Sequence, residues 1–315
     1  MITFKIMDKA KPFIKWVGGK GRLLEQFERY YPNELKKGAI KNYVEPFLGG
    51  GALYFSILEK YEIQNAYLSD LNRDLILTYR VIQKRPDTLL DFLEQYQKRY
   101  DETAPDKRYD LFLAVRKHFN EQRFEINYKK ISDNWASRAS QFIFLNKTCF
   151  NGLFRLNSKG EFNVPFGKYK TANIFNPDNI TAVSHALQNA EIVETAYKGC
   201  WTSVDNKTFV YFDPPYRPIT KTSSFTTYTG SEFTDKQQIE LAEFFQKLDK
   251  EKGAKLMLSN SDPTGINPDD TFFEKAYQGY IINKVSANRA VNRNGAGRGK
   301  ISELLITNYG GSDES

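Results

Sequence analysis

Histidine and cysteine are nearly missing from these 315 residues, with two of each. Cys149 and Cys200 give neither a disulfide framework nor the paired spacing of a zinc site. His118 and His185 are too few for a histidine-based metal centre, so no metal is expected. No apolar run approaches the roughly 18 residues of a membrane span. The stretch from Met1 to Lys11 lacks the apolar core of a secretory signal. Internal repeats and low-complexity segments are absent as well. These absences argue against secreted, membrane-bound and metal-dependent classes, and a reducing cytoplasm is the expected compartment. The length allows one large domain with an insertion, or two domains.

Charge, by contrast, is plentiful and unevenly spread. The net charge is +7, yet three windows hold more than all of it. Lys9 to Leu24 carries five basic residues and no acid, and Lys275 to Ser302 carries six and no acid. Asn134 to Pro177 carries six against the single acid Glu161. Together the windows total +16 and leave −9 for the remainder. Charge segregated in this way suits a phosphate backbone as partner. Basic loops that merely keep the chain soluble are the alternative.

Apolar runs closed by turn residues predict strands at Tyr43–Phe47, Ala66–Ser69, Glu191–Thr195, Thr208–Phe212, Lys255–Leu258, Tyr280–Val285 and Ile301–Thr307. Helical patterns lie between several of them. The clearest runs from Thr234 to Lys247, with Leu241, Phe244, Phe245 and Leu248 on one face and Thr234 with Gln237 as a capping box. Alternation of this kind predicts an α/β sheet with helices on both faces. The stretch from about Asn72 to Ala172 is too long for a simple crossover and mostly helical in pattern, with a hairpin-like segment at Asn151–Phe166. It reads as an inserted domain.

Three constellations carry chemistry. Tyr43-Val-Glu-Pro-Phe-Leu-Gly-Gly-Gly-Ala-Leu runs from a strand through Gly49 to Gly51 into a helix, and Asp70 ends the next strand 19 residues after Gly51. Glycines there allow close approach of a ligand at the carboxyl edge of a sheet, and an acid at about that distance suits ribose hydroxyls. The spacing departs from the dinucleotide G-x-G-x-x-G pattern, which argues against NAD; a purely structural glycine turn is the alternative. The second is Asp213-Pro-Pro-Tyr216, directly after the strand Thr208–Phe212. The exocyclic amine of adenine is a poor nucleophile, because its lone pair is delocalised into the ring. A carboxylate (Asp213) and a carbonyl (Pro214) accepting its two N–H bonds would localise that pair, while Tyr216 offers a stacking face; a plain proline-bounded loop after a strand is the alternative. The third, Pro12-Phe-Ile-Lys-Trp-Val-Gly-Gly-Lys20, fits a loop around a charged, partly aromatic ligand, or a buried structural tryptophan.

In that order, the three segments resemble the Dam-like family of DNA N6-adenine methyltransferases, in which the recognition domain lies between the glycine motif and Asp-Pro-Pro-Tyr. The resemblance spans Phe13 to Tyr309. It implies a Rossmann-like α/β methyltransferase sheet (residues 1–72 and 173–315) with S-adenosyl-L-methionine as cofactor. Residues 73–172 would then be an inserted, mostly helical DNA-recognition domain carrying a β-hairpin. Trp16, Lys20, Asp70 and Asp213 match the family's cofactor contacts. Glu45, Phe47, Gly49 and Gly51 match the loop around the cofactor, and Asp213, Pro214 and Tyr216 the group holding the target adenine. No general base is required, since the amine can lose its proton to solvent after transfer.

A fourth stretch, Leu145 to Tyr169, mixes Asn, Arg and Lys with aromatics, a composition suited to base edges and phosphates together. Family members that recognise GATC carry a similar stretch. By that likeness Phe150 and Asn151 lie beside the displaced base, Leu153, Arg155 and Pro165 read bases, Lys15 reads another, and Lys168 contacts phosphate. Position 150 is Phe where some relatives carry Tyr, and stacking survives the change. The alternative is a packed hairpin with exposed basic residues. The Asn/Gly-rich basic segment Ala287–Lys300 reads as a loop that orders on DNA, or a mobile loop with no role, and the Ser/Thr-rich segment Lys221–Tyr228 as one that closes the adenine pocket, or an ordinary surface loop.

Double-stranded DNA is the implied partner, with no obligate protein partner and no membrane, in a bacterial, archaeal or phage context. Cytosine C5 methylation fails for want of a Pro-Cys nucleophile, since Cys149 follows Thr148 and Cys200 follows Gly199. N4-cytosine enzymes usually begin the catalytic motif with Ser rather than Asp. An RNA adenine substrate and a catalytically inactive DNA-binding relative are the remaining alternatives.

Overall fold

The structure, a computed structural model, describes residues 9–21, 23–218, 233–287 and 301–310. The loop expected at Lys221–Tyr228, and all but the first residue of the one at Ala287–Lys300, fall outside them.

Two short helical turns, α1 (Leu24–Phe27) and α2 (Asn33–Lys36), precede the first strand, β1 (Asn42–Glu45). Helix α3 (Ala52–Lys60) leads to β2 (Asn65–Asp70). Four longer helices follow: α4 (Arg73–Lys84), α5 (Pro86–Glu102), α6 (Arg108–Gln122) and α7 (Asn134–Thr148). After an irregular loop come α8 (Pro177–Ala186), β3 (Ala190–Glu194) and β4 (Thr208–Phe212). The chain closes with α9 (Asp235–Lys252), β5 (Lys255–Ser261), α10 (Phe272–Ala276), β6 (Ile281–Ala287) and β7 (Ile301–Thr307). Each expected strand is present within a few residues of its expected bounds.

The strands form one sheet in the order β3-β2-β1-β4-β5-β7-β6. The first five run parallel, and β7 is antiparallel to both β5 and β6. Strand β4 is buried at every position, as a central strand covered by helices on both faces must be. Helix α9 covers one face with Leu241, Phe244, Phe245 and Leu248, all buried. The expected Thr234–Gln237 capping box opens it, and Gly253, with φ of 63°, closes it in the left-handed region.

Sequence order reverses at β1, which has β2 on one side and β4 on the other. Ligands of open α/β sheets bind at such a switch point, beyond the carboxyl ends of the strands. The glycine loop after β1 and the Asp-Pro-Pro-Tyr loop after β4 therefore become neighbours, although far apart in sequence.

Helices α5 and α6 pack on α7, while α4 packs both on α7 and on β2 and β3. One apolar core runs from sheet residues such as Leu68 into helix residues such as Phe112 and Phe142. A buried ion pair sits where α4 meets α7: Arg138 Nε and Nη2 lie 2.8 and 3.1 Å from the Asp74 carboxylate oxygens. Tyr128 donates a further bond to Asp74 (2.8 Å).

The expected hairpin at Asn151–Phe166 takes a looser form. The chain doubles back, but its antiparallel pairing is confined to the bridges Cys149–Phe166 and Leu156–Phe162. Left-handed backbone at Asn151, Gly152 and Gly160 (φ 56°, 64° and 72°) interrupts the extended run that a ladder needs.

Candidate active site

A cavity of about 730 Å³ opens at the switch point. Trp16, Lys20, Glu45, Phe47, Gly49, Gly51, Asp70, Asp213, Pro214 and Tyr216 all line it. Three separate stretches of sequence thus meet around one space, joined by Phe233, Gln237 and Glu240 of the α9 region.

The glycine loop forms the floor. The Asp70 carboxylate accepts from the Gly49 N–H (3.0 Å) and the Asn72 N–H (2.8 Å), pinning the β1 loop to the end of β2. A carboxylate has further acceptor positions beyond those two. Burial pushes the Asp70 carboxyl above its ordinary value, against the lowering effect of those backbone bonds. Gly49 has φ of 48°, and a Cβ there would lie 2.7 Å from the Trp16 indole, so only glycine permits this contact. Phe47 stacks on Tyr197 (centroids 5.6 Å apart) and meets Phe233 edge-on, giving an aromatic wall.

Glu45 is buried beneath the loop and accepts from the Tyr43 hydroxyl (2.7 Å). Burial pushes its carboxyl up to about 8, and the charges of Asp213 and Asp70 add to the rise. The folded chain therefore holds a proton that the unfolded chain releases above its ordinary value of 4.5. Through this group stability is greatest below that value and falls as pH rises towards 8. Glu45→Gln is expected to remove the decline. Relative to the parent, the variant should gain about 1 kcal/mol per pH unit between roughly pH 5.5 and 7.5 in denaturant unfolding. A constant difference across that window would contradict the raised value.

The acidic end of the cavity is compensated by Lys20, whose side chain is only 4% exposed. Its Nζ lies 2.9 Å from Asp213 Oδ1, donates to the Gly18 carbonyl (2.9 Å), and sits 4.4 Å from the centre of the Tyr216 ring. Ser259 also donates to Asp213 (3.0 Å), backed by Tyr211 at 2.8 Å.

The Asp-Pro-Pro-Tyr loop is held by polar residues that sequence reasoning missed. Gln238 of α9 donates to the Pro215 carbonyl (2.9 Å) and accepts from Asn260 of β5 (3.1 Å). Asn260 in turn accepts from the Arg217 N–H (3.1 Å). Both amides are fully buried. Arg217 itself grips Asp235 (2.8 and 3.1 Å) and Asp270 (2.6 Å). The tip of Tyr216 donates to Glu303 of β7 at 2.5 Å.

Lys15, Phe150, Asn151, Leu153, Arg155, Pro165 and Lys168 do not line the cavity. They belong to the loop after α7 and to the N-terminal segment, which the structure joins. The Asn146 side chain accepts from the Lys15 N–H (2.9 Å) and donates to the carbonyls of Lys15 (2.8 Å) and Gly152 (2.9 Å). Gly152 packs so closely that a Cβ there would lie 2.5 Å from that of Lys15. Trp16 extends the junction by stacking on Phe154, 6.2 Å away. The Lys15 amine lies over the Tyr169 ring (4.8 Å), whose hydroxyl accepts from the Asn151 N–H (2.9 Å).

Phe150 is 50% exposed, at the turn that follows α7. The exposed Arg155 has its Nε bonded to Asn163 (2.8 Å), which leaves the paired Nη groups for a bidentate contact. Pro165 and Lys168 are exposed as well, Leu153 partly buried. Lys147, on the last turn of α7, adds a cation that the sequence did not single out. Burial, then the charge of Lys15, lowers its amine to about 8.

Comparison with known proteins agrees with this geometry. The family model described as D12 class N6 adenine-specific DNA methyltransferase matches residues 16–291. The chain is 47% identical over 302 residues to the type II methyltransferase M.MjaIII of Methanocaldococcus jannaschii, covering 96% of this chain and all of the relative. It is 34% identical to the type II methyltransferase M1.LlaDCHI of Lactococcus lactis (95% and 96% covered). Likeness to the DNA adenine methylase of Escherichia coli K12 is 32% over 300 residues, 95% of each chain. A match over most of the chain, on a sheet and a cavity of this kind, places the protein among the D12 class N6 adenine-specific DNA methyltransferases.

Proposed function

We propose that this enzyme takes its methyl group from S-adenosyl-L-methionine and acts on an adenine turned out of duplex DNA at GATC. The observation that carries the reading is the meeting of the glycine loop, Asp213 and Tyr216 in one cavity, beside a loop presenting Arg155 and Phe150. Relatives named DNA adenine methylase support it.

The cavity suits that cofactor. Its floor approaches Trp16 so closely at Gly49 that a side chain is excluded, and the carboxylates of Asp70 and Asp213, with the buried Glu45 beside them, line a space suited to a ligand bearing positive sulfonium and ammonium groups. Trp16, Lys20, Glu45, Phe47, Gly49, Gly51, Asp70 and Asp213 would hold it, Asp70 on the ribose. When bound, the cofactor supplies an electrophilic methyl group. The chain's own task is to make the amine nucleophilic. Asp213 accepts one N6–H and the Pro214 carbonyl the other, which keeps the nitrogen lone pair out of the ring. Tyr216 replaces the stacking that the base loses on leaving the helix. The departing proton passes to water.

Residues 73–172 form the target-recognition unit in this reading. Lys15, Leu153, Arg155 and Pro165 read bases, Phe150 and Asn151 fill the space left by the displaced base, and Lys168 binds phosphate. The deciding experiment is sequencing of methylated bases in plasmid DNA from a methylation-deficient host expressing the protein. N6-methyladenine confined to GATC is expected. Arg155→Ala should then cost roughly 1–3 kcal/mol of discrimination at one base pair, spreading the mark to sites altered there. A different motif in the parent would overturn the GATC assignment, and an unchanged motif in the variant would remove Arg155 as a base reader.

A further inference from the structure

Strand β7 enters the sheet against the direction of β5, and this places its beginning at the edge where β4 and β5 end. Glu303, its third residue, pairs with Ser261, the last of β5. A parallel strand in that position would present its far end instead. The reversal brings one carboxylate, remote from every motif, to the rim of the methyl-transfer site.

There Glu303 touches two groups. Its Oε2 accepts from the Tyr216 hydroxyl at 2.5 Å, a short, charge-assisted contact, and lies 3.9 Å from Lys20 Nζ. Burial, then the charges of Asp213 and Glu303, push the Tyr216 phenol well above its ordinary value, so its proton stays in place to be donated. Lys20 meanwhile lies over the Tyr216 ring and 2.9 Å from Asp213. These are the two contacts that the target base needs: an aromatic face and a carboxylate for its amine. The Lys20 ammonium stands where the adenine amine must go, and it must yield for the base to enter. An ammonium this deeply buried is costly without a partner. Glu303 is the second carboxylate within reach.

We infer that Glu303 is a positioning residue for the target base, holding the Tyr216 ring as its platform and taking over Lys20 when the base claims Asp213. The inference rests on the assignment of Tyr216 as that platform. Glu303 touches no reacting atom, and acts through Tyr216 and Lys20.

The test uses the full-length enzyme and a duplex carrying 2-aminopurine at the position it methylates. Fluorescence reports unstacking of the base, alongside kcat, KM and duplex affinity for E303Q, Y216F and the double variant. E303Q is expected to lower kcat about ten- to a hundredfold, the range for losing a hydrogen bond to a charged partner. The unstacking signal should fall with it, while duplex affinity stays within about threefold, because phosphate contacts dominate binding. The double variant should be no worse than the poorer single, since both remove the same contact. Independent, multiplying losses would overturn the inference, as would wild-type turnover and unstacking in E303Q. Should E303Q fail to fold, Y216F reads the same bond, and wild-type behaviour in that variant also overturns it. Y216A separates the two levels. A fully active Y216A removes the platform itself, whereas a defective Y216A beside a normal E303Q removes only the part given to Glu303.

Discussion

Replacing Asp213 by alanine is expected to lower kcat at least about a thousandfold, roughly 4 kcal/mol of transition-state stabilisation, with duplex affinity kept within about tenfold. The two quantities separate because different parts of the molecule supply them. In the proposed reading binding comes chiefly from cations outside the cavity, and Lys15, Arg155 and Lys168 keep their places when Asp213 is cut back. In the same reading turnover depends on the carboxylate that accepts an N–H bond from the amine. Asp213→Ala also strips Lys20 of its nearest partner, leaving Glu303 at 3.9 Å, so Asp213→Asn is the stricter variant. It keeps an acceptor oxygen and loses the charge, and an intermediate loss of activity is expected. Single-turnover kinetics alongside filter-binding or anisotropy titrations separate these effects. Equal loss of turnover and affinity would show that Asp213 serves the DNA interface as a whole, contrary to the role given to it.

The second large effect lies away from the chemistry. Asp74→Ala leaves Arg138 buried without its carboxylate, and breaking a buried pair in this way costs about 3–5 kcal/mol. Typical domains hold only about 5–15 kcal/mol in all, so a large drop in the urea midpoint is expected. The surroundings of Arg138 offer little relief. It is 2% exposed, packs over the Phe119 ring at 3.7 Å, and gives Nη1 to the Phe119 carbonyl. Replacing both partners together, as Asp74→Leu with Arg138→Met, should recover most of the loss, because no charge is then stranded. A single-variant loss below about 1 kcal/mol would mean that water reaches the guanidinium and the pair is not truly buried.

Much of this architecture is legible in the sequence, for physical reasons that also mark the limit. Strands such as Thr208–Phe212 announce themselves because a central strand must be apolar throughout, and the Thr234–Gln237 cap is a local hydrogen-bond pattern. The glycine loop and Asp-Pro-Pro-Tyr are equally local, and the family resemblance that rests on them names the residues found lining the cavity. What escaped are polar residues whose meaning depends on distant partners. Glu303 stands 87 residues from Tyr216, and Asp74 stands 64 from Arg138. Gln238 and Asn260 belong to no motif, and only their burial beside the Asp-Pro-Pro-Tyr loop makes them clamps. Lys147 is one more lysine in a basic stretch until its neighbours desolvate it. The loop at Asn151–Phe166 shows the same limit from the other side: its composition fits a hairpin, and left-handed residues within it restrict the ladder to two bridges.

The Asn146 amide carries a thermodynamic consequence. By holding both backbone groups of Lys15 and the carbonyl of Gly152, it makes the segment that ends at Trp16 and Lys20 continuous with the loop after α7. If Lys15 faces DNA as proposed, a ligand that steadies Trp16 from inside the cavity steadies Lys15 through the same few bonds. Ordering achieved for one ligand is then already in place for the other. Whatever factor the cofactor contributes to DNA affinity, DNA must return to cofactor affinity in equal measure.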